Sequence, residues 1–129
     1  MQLNDRCAGP LRQTIKSLVH DMTDSDALLV HATCPSRDIG LRIAEKLVEE
    51  RLAACANLLP GALSTYRWEG RVEQDEECLL FIKTHRARLE PLIEAIRSLH
   101  PDDVPEIIAT PIVAGLPDYL AWLQGQTSA

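Results

Sequence analysis

Residues 54–84 have the sequence ACANLLPGALSTYRWEGRVEQDEECLLFIKT. Two strand-like runs flank Glu69 and Gly70, and glycine supplies the positive φ that a tight hairpin turn requires. Glutamate is less favoured than asparagine or aspartate at the first turn position, so a slightly longer loop is the alternative. Pro60 and Gly61 interrupt the first arm and predict a bulge or bend there. The stretch is therefore predicted to form one long β-hairpin.

The second arm of this hairpin, residues 71–84, changes character along its length. Residues 78–82 are apolar without alternation, as in a strand that is covered on both faces, whereas residues 71–77 are mostly charged. The base of the hairpin is thus predicted to lie in a core and its tip to extend beyond that core. Because a lone two-stranded ribbon is marginally stable in water and leaves open edges, we expect hairpins of several copies to pair in an oligomer.

Size and composition are those of one soluble globular domain. The chain has 129 residues, of which 46% are apolar and 25% charged. The net charge of −6 argues against nucleic acid and anionic membrane surfaces as partners. Because no apolar run approaches about 18 residues and the N-terminus lacks an apolar signal core, we expect neither a membrane span nor a secretory leader. The four cysteines are widely spaced without a C-x-x-C motif, which excludes a zinc ribbon or thioredoxin motif and favours a reducing, cytoplasmic compartment.

Hydrophobic periodicity predicts the element order β-α-β-β-α-β followed by a C-terminal helix. This order indicates an α+β fold, the ferredoxin-like βαββαβ sandwich with a long β2–β3 hairpin. Both main helices would cover one sheet face, and a partner subunit is expected on the other face, since the strands are apolar on both sides. The predicted elements are, in chain order, 27–33, 39–53, the two hairpin arms, 89–99, 107–113 and a short helix that residues 115–118 open.

Residues 1–26 are interpreted as an N-terminal extension, and residues 27–129 as the ferredoxin-like domain. Within the extension, residues 11–22 carry apolar side chains at helical spacing and predict a short amphipathic helix.

Six segments occur in order along the chain: LVEERLAACANLLPG (47–61), YRWEGRVE (66–73), IKT (82–84), HP (100–101), VPEI (104–107) and DYLAWL (118–123). Together they resemble the CutA divalent-ion tolerance proteins, over residues 28–124. The resemblance implies a trimer of ferredoxin-like subunits whose hairpins pair between neighbours, similar in architecture to the PII signalling proteins. It also implies a role in metal tolerance, with copper binding ascribed to some members.

The loop after the second predicted helix carries the best candidate metal ligands. Imidazole nitrogen and carboxylate oxygen suit divalent transition metals, and the flanking prolines limit the motion of the loop. The cluster consists of His100, Asp102, Asp103 and Glu106. Of these, His100, Asp103 and Glu106 are the candidate ligands for Cu²⁺ or another divalent metal, in a cleft between subunits. His100 and Glu106 also match positions of the CutA family. The alternative is a helix-capping loop whose acidic side chains are solvated.

Cys34 is a further candidate metal ligand, because Cu(I) prefers thiolate. It lies at a strand end before Pro35, so we expect it to be more exposed than Cys55 or Cys78; the alternative is a spare surface thiol. The family resemblance gives this site weaker support, since Ala32 stands where some members have the cysteine proposed to bind copper. Asp102 likewise replaces an aromatic residue that many members have.

No arrangement of a nucleophile with a base and no glycine-rich phosphate loop occurs in the chain, so we do not expect an enzyme. The predicted function is that of a non-enzymatic, homotrimeric divalent-cation (copper) binding protein of metal-ion tolerance. Tyr66, Arg67 and Trp68, near the hairpin tip, are expected at a subunit interface rather than on a ligand platform. The alternative function is a PII-like trimeric signalling or scaffold protein that binds a small effector or a partner protein in the inter-subunit cleft.

Overall fold

A computed structural model describes residues 26–128. One antiparallel sheet has the strand order β2-β3-β1-β4, which confirms the predicted α+β, ferredoxin-like architecture. The helix predicted for residues 11–22 lies outside the described residues. The elements are β1 (Ala27–Cys34), α1 (Arg37–Glu49), β2 (Cys55–Trp68), β3 (Arg71–His85), a 3₁₀ turn (Arg86–Arg88), α2 (Leu89–Leu99), β4 (Ile107–Pro111) and α3 (Pro117–Gln126).

The long hairpin forms as predicted, with the shorter of the two expected turns. Trp68 pairs with Arg71, so only Glu69 and Gly70 connect the strands. Both have positive φ, 50° and 78° respectively, as in a type I′ turn. The predicted irregularity at Pro60 and Gly61 is a shift of the β2–β3 register between Leu59 and Ala62. Gly61 takes a φ of 82° there, so the bulge uses the one residue type that adopts this conformation without strain.

The tip of the hairpin extends past the rest of the sheet. Strand β1 pairs with β3 only from Cys78 to His85, whereas β2 pairs with β3 over nearly its whole length. Residues 62–77 therefore form a two-stranded ribbon, which we call the hairpin tip. The predicted division into a base within the core and a projecting tip is confirmed.

An aliphatic core fills the space between the sheet and the helices α1 and α2. Alternate residues of β1 and β3 face these helices, including Val30 and Ala32 on β1 and Leu80 and Ile82 on β3. Fully burying a valine, leucine or isoleucine side chain contributes about 1.5–3 kcal/mol, so this layer holds the sheet to the helices. The helix side chains that complete the layer are Ile43, Leu47, Leu92, Ala95 and Ile96.

Helix α1 begins earlier and ends earlier than the predicted range of 39–53. It begins at Arg37 because the Ser36 hydroxyl accepts a hydrogen bond from the backbone N–H of Ile39, at 3.3 Å. It ends at Glu49 because Arg51 has a φ of 58°. The N–H of Leu52 then donates to the carbonyl of Leu47, at 2.9 Å, which closes the helix in a Schellman motif.

The C-terminal part of the described chain contains the edge strand β4 and the helix α3. Strand β4 ends at Pro111 rather than at residue 113, and its edge position suits a residue that has no backbone N–H to donate. Helix α3 begins with Pro117 in its first turn and ends at Gln126. Between residues 26 and 128, none of the helices has the length and apolar character that crossing a membrane requires.

Candidate functional site

A cleft of about 950 Å³ lies between the hairpin tip, the end of β1 and the loop that connects α2 to β4. Three segments that are distant in sequence thus contribute its walls. The lining residues are Thr33, Pro35, Ser64, Thr65, Tyr66, Trp68, Asp75, Glu76, Glu77, Pro101, Asp102, Asp103, Val104 and Glu106.

The charged side chains that line this cleft are all acidic. Six of its lining residues are acidic, and none of the lining residues that the structure describes is lysine, arginine or histidine. Carboxylates grouped in a concave surface produce a negative potential that raises the local concentration of cations. The acidic lining residues are Asp75, Glu76 and Glu77 of the hairpin tip and Asp102, Asp103 and Glu106 of the loop.

His100 fastens the α2–β4 loop to the sheet. Its side chain is only 1% exposed. The backbone N–H of Asp102 donates to Nδ1 at 3.1 Å, so the proton of the neutral ring lies on Nε2. Nε2 in turn donates to the carbonyl oxygen of Thr33, at 2.8 Å. Both ring nitrogens are therefore engaged, one with the loop and one with the end of β1.

Tyr66 is held on the hairpin wall of the cleft by a cross-strand contact. Its hydroxyl donates to the carboxylate of Asp75, on the neighbouring strand. This hydrogen bond is the main reason why the pKa of Tyr66 rises to about 12; burial and the nearby charges of Asp75, Glu73 and Glu77 add to the shift. The aromatic ring and an acidic side chain thus form one fixed unit beside the cleft.

The candidate ligands named from the sequence are divided between two places. Asp103 and Glu106 line the cleft together. His100 adjoins them, in a depression that Asp102 and Asp103 also line, but its ring is buried under the loop. Within residues 26–128, no group of three or more histidine, cysteine, aspartate or glutamate side chains is arranged to hold a metal ion. The roles of Asp103, Glu106 and His100 as ligands remain predictions.

The prediction that Cys34 is more exposed than Cys55 or Cys78 is wrong. Cys34 is the last residue of β1 and is fully buried, more so than either Cys55 or Cys78. Its thiol donates to the carbonyl oxygen of Cys78 at 3.7 Å. Burial, together with the nearby Cys78 and Glu77, raises the pKa of the Cys34 thiol to about 11. The structure therefore separates Cys34 from the cleft, where Asp103 and Glu106 lie.

The acidic side chains of β3 line the cleft, and Asp75 and Glu76 are exposed there. Asp75, Glu76 and Glu77 stand opposite Ser64, Leu63 and Ala62 in the hairpin, and the hairpin brings them beside the α2–β4 loop. The only signal in the sequence was the shared negative charge of two segments about 25 residues apart, which does not by itself indicate proximity.

Comparison with known proteins identifies relatives over most of the chain. The family model of the CutA1 divalent ion tolerance protein matches residues 28–126. The divalent-cation tolerance protein CutA of Thermus thermophilus is 48% identical over 99 residues, which cover 77% of this chain and 96% of that protein. A chloroplastic CutA protein of Arabidopsis thaliana is 48% identical over 101 residues, 78% of this chain, and the chain spans only 56% of its length.

Solved structures agree with these sequence matches. The crystal structure of CutA from Xylella fastidiosa has a TM-score of 0.79 at 43% identity and covers 81% of this chain and 100% of its own. The divalent cation tolerance protein of Thermus thermophilus gives a TM-score of 0.78 at 47% identity, over 79% of this chain and 99% of its own. The chain belongs to the CutA1 divalent ion tolerance protein family.

Proposed function

We propose that this protein is a non-enzymatic, cytoplasmic homotrimer that binds divalent cations in the acidic cleft and thereby contributes to divalent metal tolerance. One observation carries the proposal: the cleft groups six carboxylates with no basic side chain among its described lining residues. The names of its relatives, which are divalent-cation tolerance proteins, support the same chemistry. In this proposal the metal is the cargo of the protein.

The acidic side chains of the loop are the first candidates to bind the cation. Asp103 and Glu106 lie in the same short loop, separated by Val104 and Pro105, and Glu77 lies on the hairpin wall of the same cleft. Carboxylate oxygens bind divalent cations, and for a given set of nitrogen and oxygen ligands Cu²⁺ binds most tightly in the first-row series. Cu²⁺ is therefore the ion to test first.

His100 and Cys34 are less available to a metal ion than the carboxylates of the cleft. His100 can donate a ring nitrogen to a metal only if it gives up its hydrogen bond with Asp102 or Thr33. As long as both bonds persist, His100 positions the loop that carries Asp103 and Glu106. Cys34 would have to leave the core to bind a metal, so it is not included in the cleft site.

Apolar side chains on the hairpin tip support the trimer. Leu63 is 82% exposed, Val72 64% and Trp68 51%. Apolar side chains grouped on a projecting ribbon mark a surface that another protein covers, and a further copy of the same chain carries a matching ribbon. The cleft borders this ribbon, so assembly would place the cleft beside a neighbouring subunit.

Calorimetric titration of the metal-free full chain with Cu²⁺ and Zn²⁺, at physiological salt, tests the proposal. We expect saturable binding of about one metal ion per chain, because each chain contributes one cleft. Glu106→Gln and Asp103→Asn should each weaken binding by about tenfold or more, equivalent to roughly 1.4 kcal/mol.

Glu45→Gln is the matched control. It removes the same charge from the exposed side of α1, outside the residues that line the cleft, so it changes the net charge without changing the site. Its metal affinity should stay within about twofold of the natural protein, since screened distant charges contribute little at physiological salt. If Glu45→Gln and Glu106→Gln weaken binding equally, the acidic protein attracts cations without a dedicated site and the proposal fails.

A PII-like effector or partner site is the second candidate function for the same cleft. Tyr66 and Trp68 also line it, and aromatic rings beside a few fixed polar groups are typical of pockets for small organic molecules. Thermal-shift measurements with a metabolite panel in the presence of a chelator would distinguish an effector site from a cation site. A stabilising metabolite that acts without metal favours the effector site.

A further inference from the structure

Two cysteines face each other across neighbouring strands near the base of the hairpin. Cys34 of β1 and Cys78 of β3 are directly opposite partners in the antiparallel register. Both are buried, 0% and 7% exposed respectively, and both are free thiols. Residues directly opposite in a sheet project to the same face, so the two side chains lie side by side under α1.

The geometry of such a pair fits a disulfide bond. Directly opposite residues of antiparallel strands have Cα atoms about 4.5–5.5 Å apart. Disulfides span Cα separations of about 4.4–6.8 Å, so no rearrangement of the strands is needed. The Cys34 thiol already contacts the backbone of Cys78, whose carbonyl oxygen accepts its hydrogen bond at 3.7 Å.

We propose that Cys34 and Cys78 are a reversible thiol-oxidation site, at which a low-molecular-weight disulfide such as oxidised glutathione converts the two thiols into a cross-strand disulfide. The proposal does not depend on cation binding in the cleft. Cys55, the remaining cysteine of the described residues, stands opposite Lys83 and so has no cysteine facing it.

The reaction proceeds by two thiol–disulfide exchanges. The Cys78 thiol, the more exposed of the two, loses its proton to solvent and attacks one sulfur of oxidised glutathione, which forms a mixed disulfide and releases one glutathione thiolate. The Cys34 thiolate then attacks the Cys78 sulfur and releases the second. One S–S bond is broken and one is formed. Two electrons pass from the protein to glutathione, and the two protons end on the two glutathione thiols.

Access to the buried thiols requires a local opening. Cys34 is the final residue of β1, and strand ends open more readily than strand centres. Thr33 and Pro35, its neighbours in sequence, line the acidic cleft, as does Glu77 beside Cys78. The disulfide would therefore join the two strands that form adjoining walls of the cleft.

Peptide mapping of the oxidised full chain tests this site. The folded protein is incubated with oxidised glutathione, quenched with acid, alkylated and digested without reduction. We expect a peptide pair linked through Cys34 and Cys78, a mass loss of about 2 Da, and recovery of both thiols on treatment with reduced glutathione. Cys34→Ala and Cys78→Val should each abolish the link, and Cys55→Ala should leave it intact.

Two results of the same peptide-mapping experiment would contradict the proposal. If Cys34 and Cys78 remain alkylatable as free thiols while Cys55 carries a glutathione adduct, the opposed pair is not an oxidation site. A link that appears only in protein unfolded by denaturant would have the same meaning. Because the decisive measurement uses the natural chain, it does not depend on whether the core variants fold.

Discussion

Gly40 lies in the first turn of α1, at a point of close contact between the helix and the sheet. A Cβ atom at this position would meet Leu58 Cδ1 at 2.6 Å and Cys34 Sγ at 2.8 Å. Alanine is the better helix former by about 1 kcal/mol, but overpacking a core commonly costs about 1–3 kcal/mol. Because the helix-propensity gain offsets part of the overpacking cost, we expect Gly40→Ala to lower the free energy of unfolding by up to about 2 kcal/mol, measured by chemical denaturation at one protein concentration.

Gly125→Ala is the control within the same molecule. Gly125 also lies inside a helix, α3, but nothing approaches its Cβ position within 4 Å. Only the helix propensity changes there, so the substitution should raise the free energy of unfolding by about 0.5–1 kcal/mol. A stabilising Gly40→Ala would contradict the close packing of Cys34 against α1.

Individual residues differ in how far the sequence could predict them. Gly70 in the turn follows from local backbone chemistry and is confirmed. Ser36, which caps α1, belongs to the residue types that commonly cap helices. The burial of Cys34 could have been predicted from strand parity, since Val30 and Ala32 occupy the same face. The double hydrogen bond of His100 could not, because one partner, Thr33, is 67 residues away.

At the scale of elements, the hairpin tip carries a pH-dependent contact between its two strands. The pKa of Tyr66 is about 12 in the folded chain, above the ordinary value of 10. The folded state therefore holds the phenolic proton more tightly than the unfolded state does. The hydrogen bond to Asp75 contributes fully below about pH 10 and is lost as the pH rises through about 12.

Asp75→Asn should lower the pKa of Tyr66 toward its ordinary value, because the carboxylate is the main cause of the shift. Ultraviolet titration of the phenolate, in a Tyr119→Phe background that leaves Tyr66 as the one tyrosine, measures this pKa directly. Glu76→Gln removes the same charge from the adjacent position, and Glu76 is not among the causes of the shift. Equal pKa values in the two variants would show that general charge, rather than this hydrogen bond, sets the pKa.

Secondary structure was more predictable at its centres than at its ends. Apolar spacing placed α1 correctly, but the spacing continues through Leu52 and Ala53, which are buried although they follow the helix. Arg51 ends the helix in a left-handed conformation that favours glycine, so the usual C-terminal signal was absent from the sequence. Leu52 and Ala53 are still buried although the helical hydrogen bonds have ended, and the spacing of apolar residues reflects only burial.

In the whole molecule, the cleft could be predicted only in part from the sequence. The loop acids Asp103 and Glu106 were predicted as candidate ligands from their chemistry. The opposite wall, residues 75–77, was not predicted, because nothing in the local sequence places a hairpin tip beside a loop about 25 residues further along the chain. The ferredoxin-like order was predictable, since strand and helix periods are local, whereas a site built between elements depends on how those elements pack.

Assembly is the property of the whole molecule that the hairpin tip most directly predicts. Leu63 stands opposite Glu76 in the projecting ribbon and is the most exposed of the large apolar side chains in the part of the chain that the structure describes. Because its surroundings in the single chain are solvent, Leu63→Asp should not disturb the fold of the subunit. In an oligomer that buries the ribbon, the same substitution would place an unpaired charge in an apolar interface, which is strongly unfavourable.

Light scattering across a dilution series tests this prediction. The natural chain, of 14.3 kDa, should form a particle of about 43 kDa, as a closed three-fold assembly requires. Leu63→Asp should shift the mass toward that of a single chain as the protein is diluted. Leu41→Asp introduces the same charge at an exposed leucine on α1, outside the hairpin tip, and should leave the mass unchanged. Two results would contradict the prediction: a natural chain that stays at 14.3 kDa at every concentration, or a Leu63→Asp variant that assembles as well as Leu41→Asp. Either result would mean that the hairpin is not part of a subunit interface, and that the cleft does not lie between subunits as expected.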